Sequence, residues 1–254
     1  MLLEFLGAFV RESIDLALPP LCANCARELP LPAARNAALC ESCTDALPWI
    51  AAGSCSRCQQ APRRPAQETC APCTALRNPL ESCSAALSYE GETERWIARF
   101  KYPEPGLRGL DAAPIAVARR LAREAAARVP GGPPDLVVPV PLHPRRHAER
   151  GFNPSAIAAR EVARECGARF APTALERRRD TPTQTGLGRK ARRLNVRGAF
   201  AFRSRKLLCA KRVWLVDDVV TTGATLEACA RTLRAAGVDE VRGVALARTR
   251  LGRR

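Results

Sequence analysis

The chain has 254 residues and a formal net charge of +16, from 41 Lys/Arg against 25 Asp/Glu. Its hydrophobic fraction of 46% supports a packed core in one large domain or two modest ones, and membrane-spanning helices are not expected because no apolar run is long enough. The charge points to phosphate-rich partners, and an aromatic content of 5% argues against a surface built mainly from stacked rings.

Residues 1–20 open the chain. Leu2, Leu3, Leu6, Phe9, Val10 and Ala17 share one helical face, and Pro19-Pro20 ends it. These residues begin Met-Leu-Leu-Glu without a basic n-region, and Glu4, Arg11, Glu12 and Asp15 interrupt the apolar run. An amphipathic packing helix is therefore expected, rather than a signal peptide, anchor or membrane span. The chain is expected in the cytoplasm, where thiols stay reduced.

Eight of the twelve cysteines form four Cys-x-x-Cys knuckles: Cys22/Cys25, Cys40/Cys43, Cys55/Cys58 and Cys70/Cys73. Two knuckles supply the four thiolates of a tetrahedral Zn²⁺ site, and spacers of 14 and 11 residues suit zinc ribbons. Taken in order they give two structural Cys₄ sites, a double zinc ribbon. Iron–sulfur ligation and an interleaved pairing would use the same residues. A closed four-thiolate shell leaves no position for substrate, so the metal is expected to replace a core that this Pro-rich segment lacks. Cys83, Cys166, Cys209 and Cys229 are unpaired and are expected as small core residues.

Residues 1–85 hold 7 Lys/Arg against 8 Asp/Glu, and residues 86–254 hold 34 against 17. Composition, cysteine use and charge change together near residues 83–88. The expected division is an N-terminal helix over 1–20, a double zinc ribbon over 21–84 and an α/β domain over 85–254.

In that last segment, apolar strands alternate with helical patterns. Strands are predicted at Leu136–Val140, Val213–Val216 and Val241–Leu246, with helices at Pro154–Glu165 (begun by Asn153) and Ala224–Ala236. The alternation predicts a parallel, doubly wound sheet, which binds ligands beyond the carboxyl ends of its strands. One such end carries Pro141-Leu142-His143-Pro144-Arg145-Arg146-His147, followed by Arg150. Pro144 and the arginines argue against a helix there, and against a metal held by His143 and His147. Residues 176–197 read as a basic loop broken by Pro182, Gly186 and Gly188.

The most informative stretch is Val213-Trp214-Leu215-Val216-Asp217-Asp218-Val219-Val220-Thr221-Thr222-Gly223-Ala224-Thr225. An apolar strand delivers two carboxylates, and a Thr/Gly turn then opens a helix whose amide groups and positive dipole end suit a phosphate dianion. Acids beside a phosphate cradle suit a sugar phosphate. No Gly-x-Gly-x-x-Gly follows a strand and no Gly-Lys-Ser/Thr loop occurs, so dinucleotide and P-loop sites are not supported.

This stretch resembles the phosphoribosyl-pyrophosphate signature of type I phosphoribosyltransferases. With the four knuckles, Tyr89 to Lys101, the block from Pro139 to Asn153 and the Gln184-x-x-Leu187…Arg192-x-x-Asn195…Phe200 pattern, the chain resembles the ComF family. The resemblance implies a double zinc ribbon joined to a phosphoribosyltransferase-type domain. It further implies that Asp217 and Asp218 hold the ribose hydroxyls, directly or through Mg²⁺, and that Thr221, Thr222, Gly223, Ala224 and Thr225 cradle the 5′-phosphate. Arg146 and Arg150 would face the pyrophosphate, and a flap would carry Gln184, Arg192 and Asn195. Pro154 departs from the family, which usually has Gln there. The implied role is phosphoribosyl-pyrophosphate binding in DNA uptake during natural transformation, with an unidentified acceptor. The alternative is a non-catalytic single-stranded-DNA-binding competence factor, acting with the uptake machinery, whose phosphoribosyl site is regulatory or vestigial. Trp96, Phe100 and Tyr102 are expected in the core rather than as a base-stacking platform.

Overall fold

The computed structural model describes residues 21–29, 38–51, 53–59, 69–74, 78–103, 105–106, 109–110, 112–180, 191, 194–203 and 210–249. The expected helix over 1–20, Cys209, Gln184 and Arg192 lie outside them.

In chain order the main elements are α1 (Glu41–Asp45), α2 (Ala71–Thr74), β1 (Cys83–Ser88), α3 (Glu92–Lys101), α4 (Ala112–Ala127), β2 (Leu136–Pro139), α5 (Pro144–Arg150) and α6 (Pro154–Cys166). These are followed by β3 (Arg169–Phe170), β4 (Leu175–Arg177), β5 (Phe200–Phe202), β6 (Arg212–Val220), α7 (Ala224–Ala235) and β7 (Glu240–Arg248). Five strands form one sheet in the order β1-β7-β6-β2-β3, with every neighbouring pair parallel. This is the expected α/β fold. A smaller antiparallel ribbon pairs β4 with β5.

Strands buried on both faces need apolar residues at every position, which is why these runs lack polar alternation. Val137, Trp214, Val216, Val244 and Leu246 pack toward α3, α4 and α6. Their neighbours Leu136, Val138, Val213, Leu215 and Val241 pack with α7 and the β4–β5 ribbon. Since α6 follows β2 on one face and α7 follows β6 on the other, the chain diverges between β2 and β6. That divergence creates a crevice at their carboxyl ends.

β6 is longer than its apolar run. Pairing with β2 stops at Pro139↔Val216, whereas pairing with β7 continues to Val220↔Arg248. Asp217 and Asp218 therefore lie inside a strand whose β2-facing edge has just become free. β1 and α4 lacked a sequence prediction. Helix α5 corrects another expectation: Pro144 starts it rather than preventing it, because proline at the first helical position gives up no needed N–H.

The block that follows α5 has a clear division of labour. Gly151 ends the helix at φ +78°, a left-handed cap that favours glycine. Phe152 packs on Phe100, with ring centroids 6.2 Å apart. Asn153 then caps α6, its Oδ1 accepting from Ser155 N at 3.1 Å while its Nδ2 donates to Val140 O at 3.0 Å. One side chain thus ties the end of β2 to the start of α6. Asn153→Ala is expected to cost about 1–2 kcal/mol, read as a lower denaturation midpoint with an unchanged slope.

The cysteine-rich segment packs on the sheet edge. Ile50 N donates to Ala86 O at 3.0 Å, Ser88 N donates to Pro48 O at 2.8 Å, and Trp49 bridges Leu87 in antiparallel register. The Gln59 side chain extends this cover, its Oε1 accepting from Ala85 N at 2.6 Å. The outer edge of β1 is therefore covered rather than left to pair with another chain. β1 begins at Cys83, two residues before the expected start of the second domain at residue 85.

Candidate functional site

The crevice at the β2 and β6 ends is a cavity of about 260 Å³. Sequence-predicted Arg146, Arg150, Asp217, Asp218, Thr221, Gly223, Ala224 and Thr225 all line it. Thr222 does not. It faces a smaller cavity behind the turn, and its Oγ1 accepts from Ala224 N at 3.4 Å. Gly223 sits at φ +79° with open space where a Cβ would project, so its backbone angle is what calls for glycine. It caps α7 without a side-chain hydrogen bond, and the positive end of that helix opens onto the cavity.

Three polar or charged lining residues were not assigned to this site by sequence reasoning. Ser155, in the first turn of α6, donates from Oγ to Asp217 Oδ1 at 3.1 Å. Lys101, the last residue of α3, places Nζ 3.0 Å from Asp218 Oδ2. The sequence predicts Arg177 in the basic loop. It belongs instead to β4, lines the cavity and rests over the Phe200 ring at 5.7 Å. Burial and the Arg146 charge push Arg177 below its usual range. Of the expected flap residues only Asn195 is described, and it lies away from the cavity, its carbonyl accepting from Arg179 Nη2 at 2.8 Å.

Burial and the adjoining Asp218 charge push the Asp217 carboxyl up to about 7, against opposing contributions from Lys101, Asp218 N–H and Ser155. Because the folded value exceeds the unfolded one, the proton stabilises the native state at low pH. That contribution is lost as pH rises from the unfolded value toward 7 and is gone above it. Subtracting the melting profile of Asp217→Asn from that of wild type should isolate this fall, on the order of 4 kcal/mol between pH 4 and 7.5.

His143 caps α5 and sits 3.7 Å from Asp180 Oδ1, while Arg145 approaches Oδ2 of the same carboxylate at 3.4 Å. The two histidines do not form a metal cluster among the described residues. Trp96 and Phe100 are core residues, but Tyr102 is 68% exposed, contrary to expectation. Its ring lies under the Arg150 guanidinium at 4.7 Å, and its hydroxyl accepts from Arg150 Nη2 at 2.9 Å. One guanidinium thus meets both the ring face and the hydroxyl, which anchors the ring at the surface.

The knuckles assemble in sequence order. The sulfurs of Cys22, Cys25, Cys40 and Cys43 lie within 4.8 Å of one another, and so do those of Cys55, Cys58, Cys70 and Cys73. This resolves the pairing against interleaving. Cys25 and Cys40 sulfurs are 3.7 Å apart, as are those of Cys58 and Cys70. That separation is too long for a disulfide and matches the edge of a tetrahedron with metal–sulfur bonds of about 2.3 Å. Each cluster repeats one supporting bond: Cys40 N donates to Cys22 Sγ at 3.3 Å and Cys70 N donates to Cys55 Sγ at 3.2 Å. Both clusters thus fit Zn²⁺. Cys83 and Cys229 are buried as expected, and Cys166 packs partly against the core.

The second cluster also touches the phosphate turn. Arg57, Cys58, Cys73 and Arg248 share the small rear cavity with Thr221, Thr222 and Gly223. Arg248, the last residue of β7, donates to the Cys58 carbonyl, and Arg57 Nη1 donates to Cys73 O at 2.8 Å.

Comparison with known proteins adds independent findings. The phosphoribosyl transferase domain model matches residues 116–254. Competence protein F of Haemophilus influenzae is 37% identical over 116 residues, covering 45% of this chain and 51% of that protein. DNA utilization protein YhgH of Escherichia coli K12 is 37% identical over 116 residues, covering 46% and 50%, and its Salmonella typhi counterpart is 38% identical over 137 residues, covering 53% and 60%. The chain therefore spans about half the length of most of the curated relatives it matches. A solved structure described as the allosteric regulatory enzyme of purine biosynthesis aligns with TM-score 0.38 and 19% identity over 59% of this chain and 30% of that one. No helix among the described residues is long and apolar enough to cross a membrane.

Proposed function

This chain belongs to the phosphoribosyl transferase domain family, with ComF-type relatives, and on that premise we propose that its cavity binds phosphoribosyl pyrophosphate with Mg²⁺. The observation that carries the reading is the convergence of the acidic pair, the Thr221–Thr225 turn and three arginines on one cavity. The turn and the α7 end suit the 5′-phosphate, the acids suit the ribose hydroxyls, and Arg146, Arg150 and Arg177 suit the diphosphate. Two adjoining carboxylates, one of them pushed up to about 7, are a hard-oxygen donor set that a divalent ion relieves. Mg²⁺ held there would neutralise diphosphate charge.

Transfer would break the anomeric C–O bond, with diphosphate leaving with the electron pair, and form a bond to a nucleophile on the acceptor. The protein's part is to hold the sugar by its hydroxyls and to stabilise the departing charge with guanidinium groups. Calorimetry with phosphoribosyl pyrophosphate and Mg²⁺ is expected to give one site per chain. Absence of heat and of competition by pyrophosphate would remove the assignment. Release of pyrophosphate on adding candidate acceptors then separates turnover from binding alone.

The biological setting we propose is DNA uptake, supported by the names of the relatives. A second reading, a non-catalytic factor that binds single-stranded DNA, is favoured by the 34 Lys/Arg against 17 Asp/Glu in residues 86–254. Salt titration of single-strand binding decides it: no affinity at low salt rules it out. We place the functional division at the start of the sheet, with the cysteine-rich segment as a metal-held support. We place the flap in the part of 176–197 that follows β4, around Gln184, Arg192 and Asn195.

A further inference from the structure

The acidic pair already carries a cation supplied by the chain itself. Lys101 Nζ lies 3.0 Å from Asp218 Oδ2, with the two side chains 24% and 14% exposed. Core packing sets its position: Trp96, Ile97 and Phe100 bury the inner face of α3, and Phe100 meets Phe152 just ahead of α6. Immediately after Lys101, Tyr102 is tied to the cavity residue Arg150. The ammonium is thus delivered by a docked helix rather than by a wandering surface side chain.

A divalent ion bound to the same carboxylate would sit within a few ångströms of that ammonium, and like charges at such separations repel in a partly dry cleft. The two therefore compete for Asp218 Oδ2. Resting on the phosphoribosyl reading of this cavity, we propose that Lys101 is a positioning residue that occupies the cation place on Asp218 in the ligand-free protein. It keeps the free divalent ion off the pair, so the ion enters together with the phosphorylated sugar. The incoming diphosphate supplies the negative charge that draws the ammonium from Asp218 and leaves the carboxylate to the ion or the ribose. Lys101 therefore sets the order of binding.

The test uses the full chain with its cysteine-bound metal and Mn²⁺ as probe, followed by the resonance signal of the free ion. Working at pH 8 keeps the assay above the value of about 7 for Asp217. Lys101→Met and Lys101→Gln are expected to bind Mn²⁺ at least about tenfold more tightly than wild type. Lys101→Arg, which keeps the charge, should behave as wild type, and adding Asp218→Asn to Lys101→Met should abolish the gained binding. A purely structural lysine would lower the melting temperature without raising Mn²⁺ affinity. Unchanged affinity in both neutral variants, or a gain that survives Asp218→Asn, overturns the proposal. Phosphoribosyl pyrophosphate is absent from this assay, so its outcome is separate from failure of the phosphoribosyl reading, which shows as no heat with that ligand and Mg²⁺ in wild type.

Discussion

Asp218→Asn is expected to weaken Mg²⁺-dependent binding of phosphoribosyl pyrophosphate by about 100-fold or more, while the content of cysteine-bound metal stays unchanged. The substitution keeps the side chain's shape, and its oxygen can still accept from Val219 N, a bond of 2.6 Å in the parent. What disappears is one negative charge at the point where ribose hydroxyls and a divalent ion would converge. Hydrogen bonds to a charged group contribute about 1.5–3 kcal/mol each, and two of them account for the loss. A second readout follows from the same charge. Asp218 helps hold the Asp217 proton, so its removal should move the Asp217 titration downward from about 7. Calorimetry checks the affinity and carbon-detected titration checks the shift. Retained affinity in a variant with normal metal content would mean that the acids do not hold the ligand.

Removing the second metal should have the larger effect on the fold. Cys55→Ser takes one of four thiolates from a cluster that has little apolar core of its own, and structural zinc contributes folding free energy directly, about 10 kcal/mol or more in small metal-dependent domains. Here the segment also packs on the sheet, so a loss of about 5 kcal/mol is expected, or roughly 10–20 °C in melting temperature for a chain of this size. Metal analysis should show one ion lost and one kept, because Cys22, Cys25, Cys40 and Cys43 are a separate set. The same variant should weaken phosphoribosyl-pyrophosphate binding although it touches no ligand group. Arg248 and Arg57 join the knuckle carbonyls to the rear of the Thr221–Gly223 turn. Loss of both ions from the single variant would show the clusters to be interdependent. Unchanged ligand affinity would uncouple the knuckle from the turn.

Local chemistry made several features legible without coordinates. A continuous apolar run marks a strand covered on both faces, so Leu136–Val140 and Val213–Val216 could be read directly. Asn153 before Pro154 marks a helix start through capping and a fixed φ, and α6 begins there. The knuckles were equally plain, because a two-residue spacer aims two thiolates at one point. Spacing alone left their pairing open, and the assembled sulfurs decided it.

The remaining parts depend on contacts between segments distant in sequence. β1 had no visible signal because Cys83, Ser84 and Ser88 are small or polar, and their burial comes from pairing with β7 and from packing against α4. Pro144 looked like a helix breaker until His143 supplied the cap ahead of it. Lys101 and Ser155 stand 117 and 62 residues from the carboxylates they touch. Sequence by itself determined which groups could grip a phosphorylated sugar and which could grip a metal, since those follow from residue type and short spacing. Only the tertiary structure decided which charges meet, because sheet order and helix docking bring the end of α3, the start of α6 and β4 to one strand end.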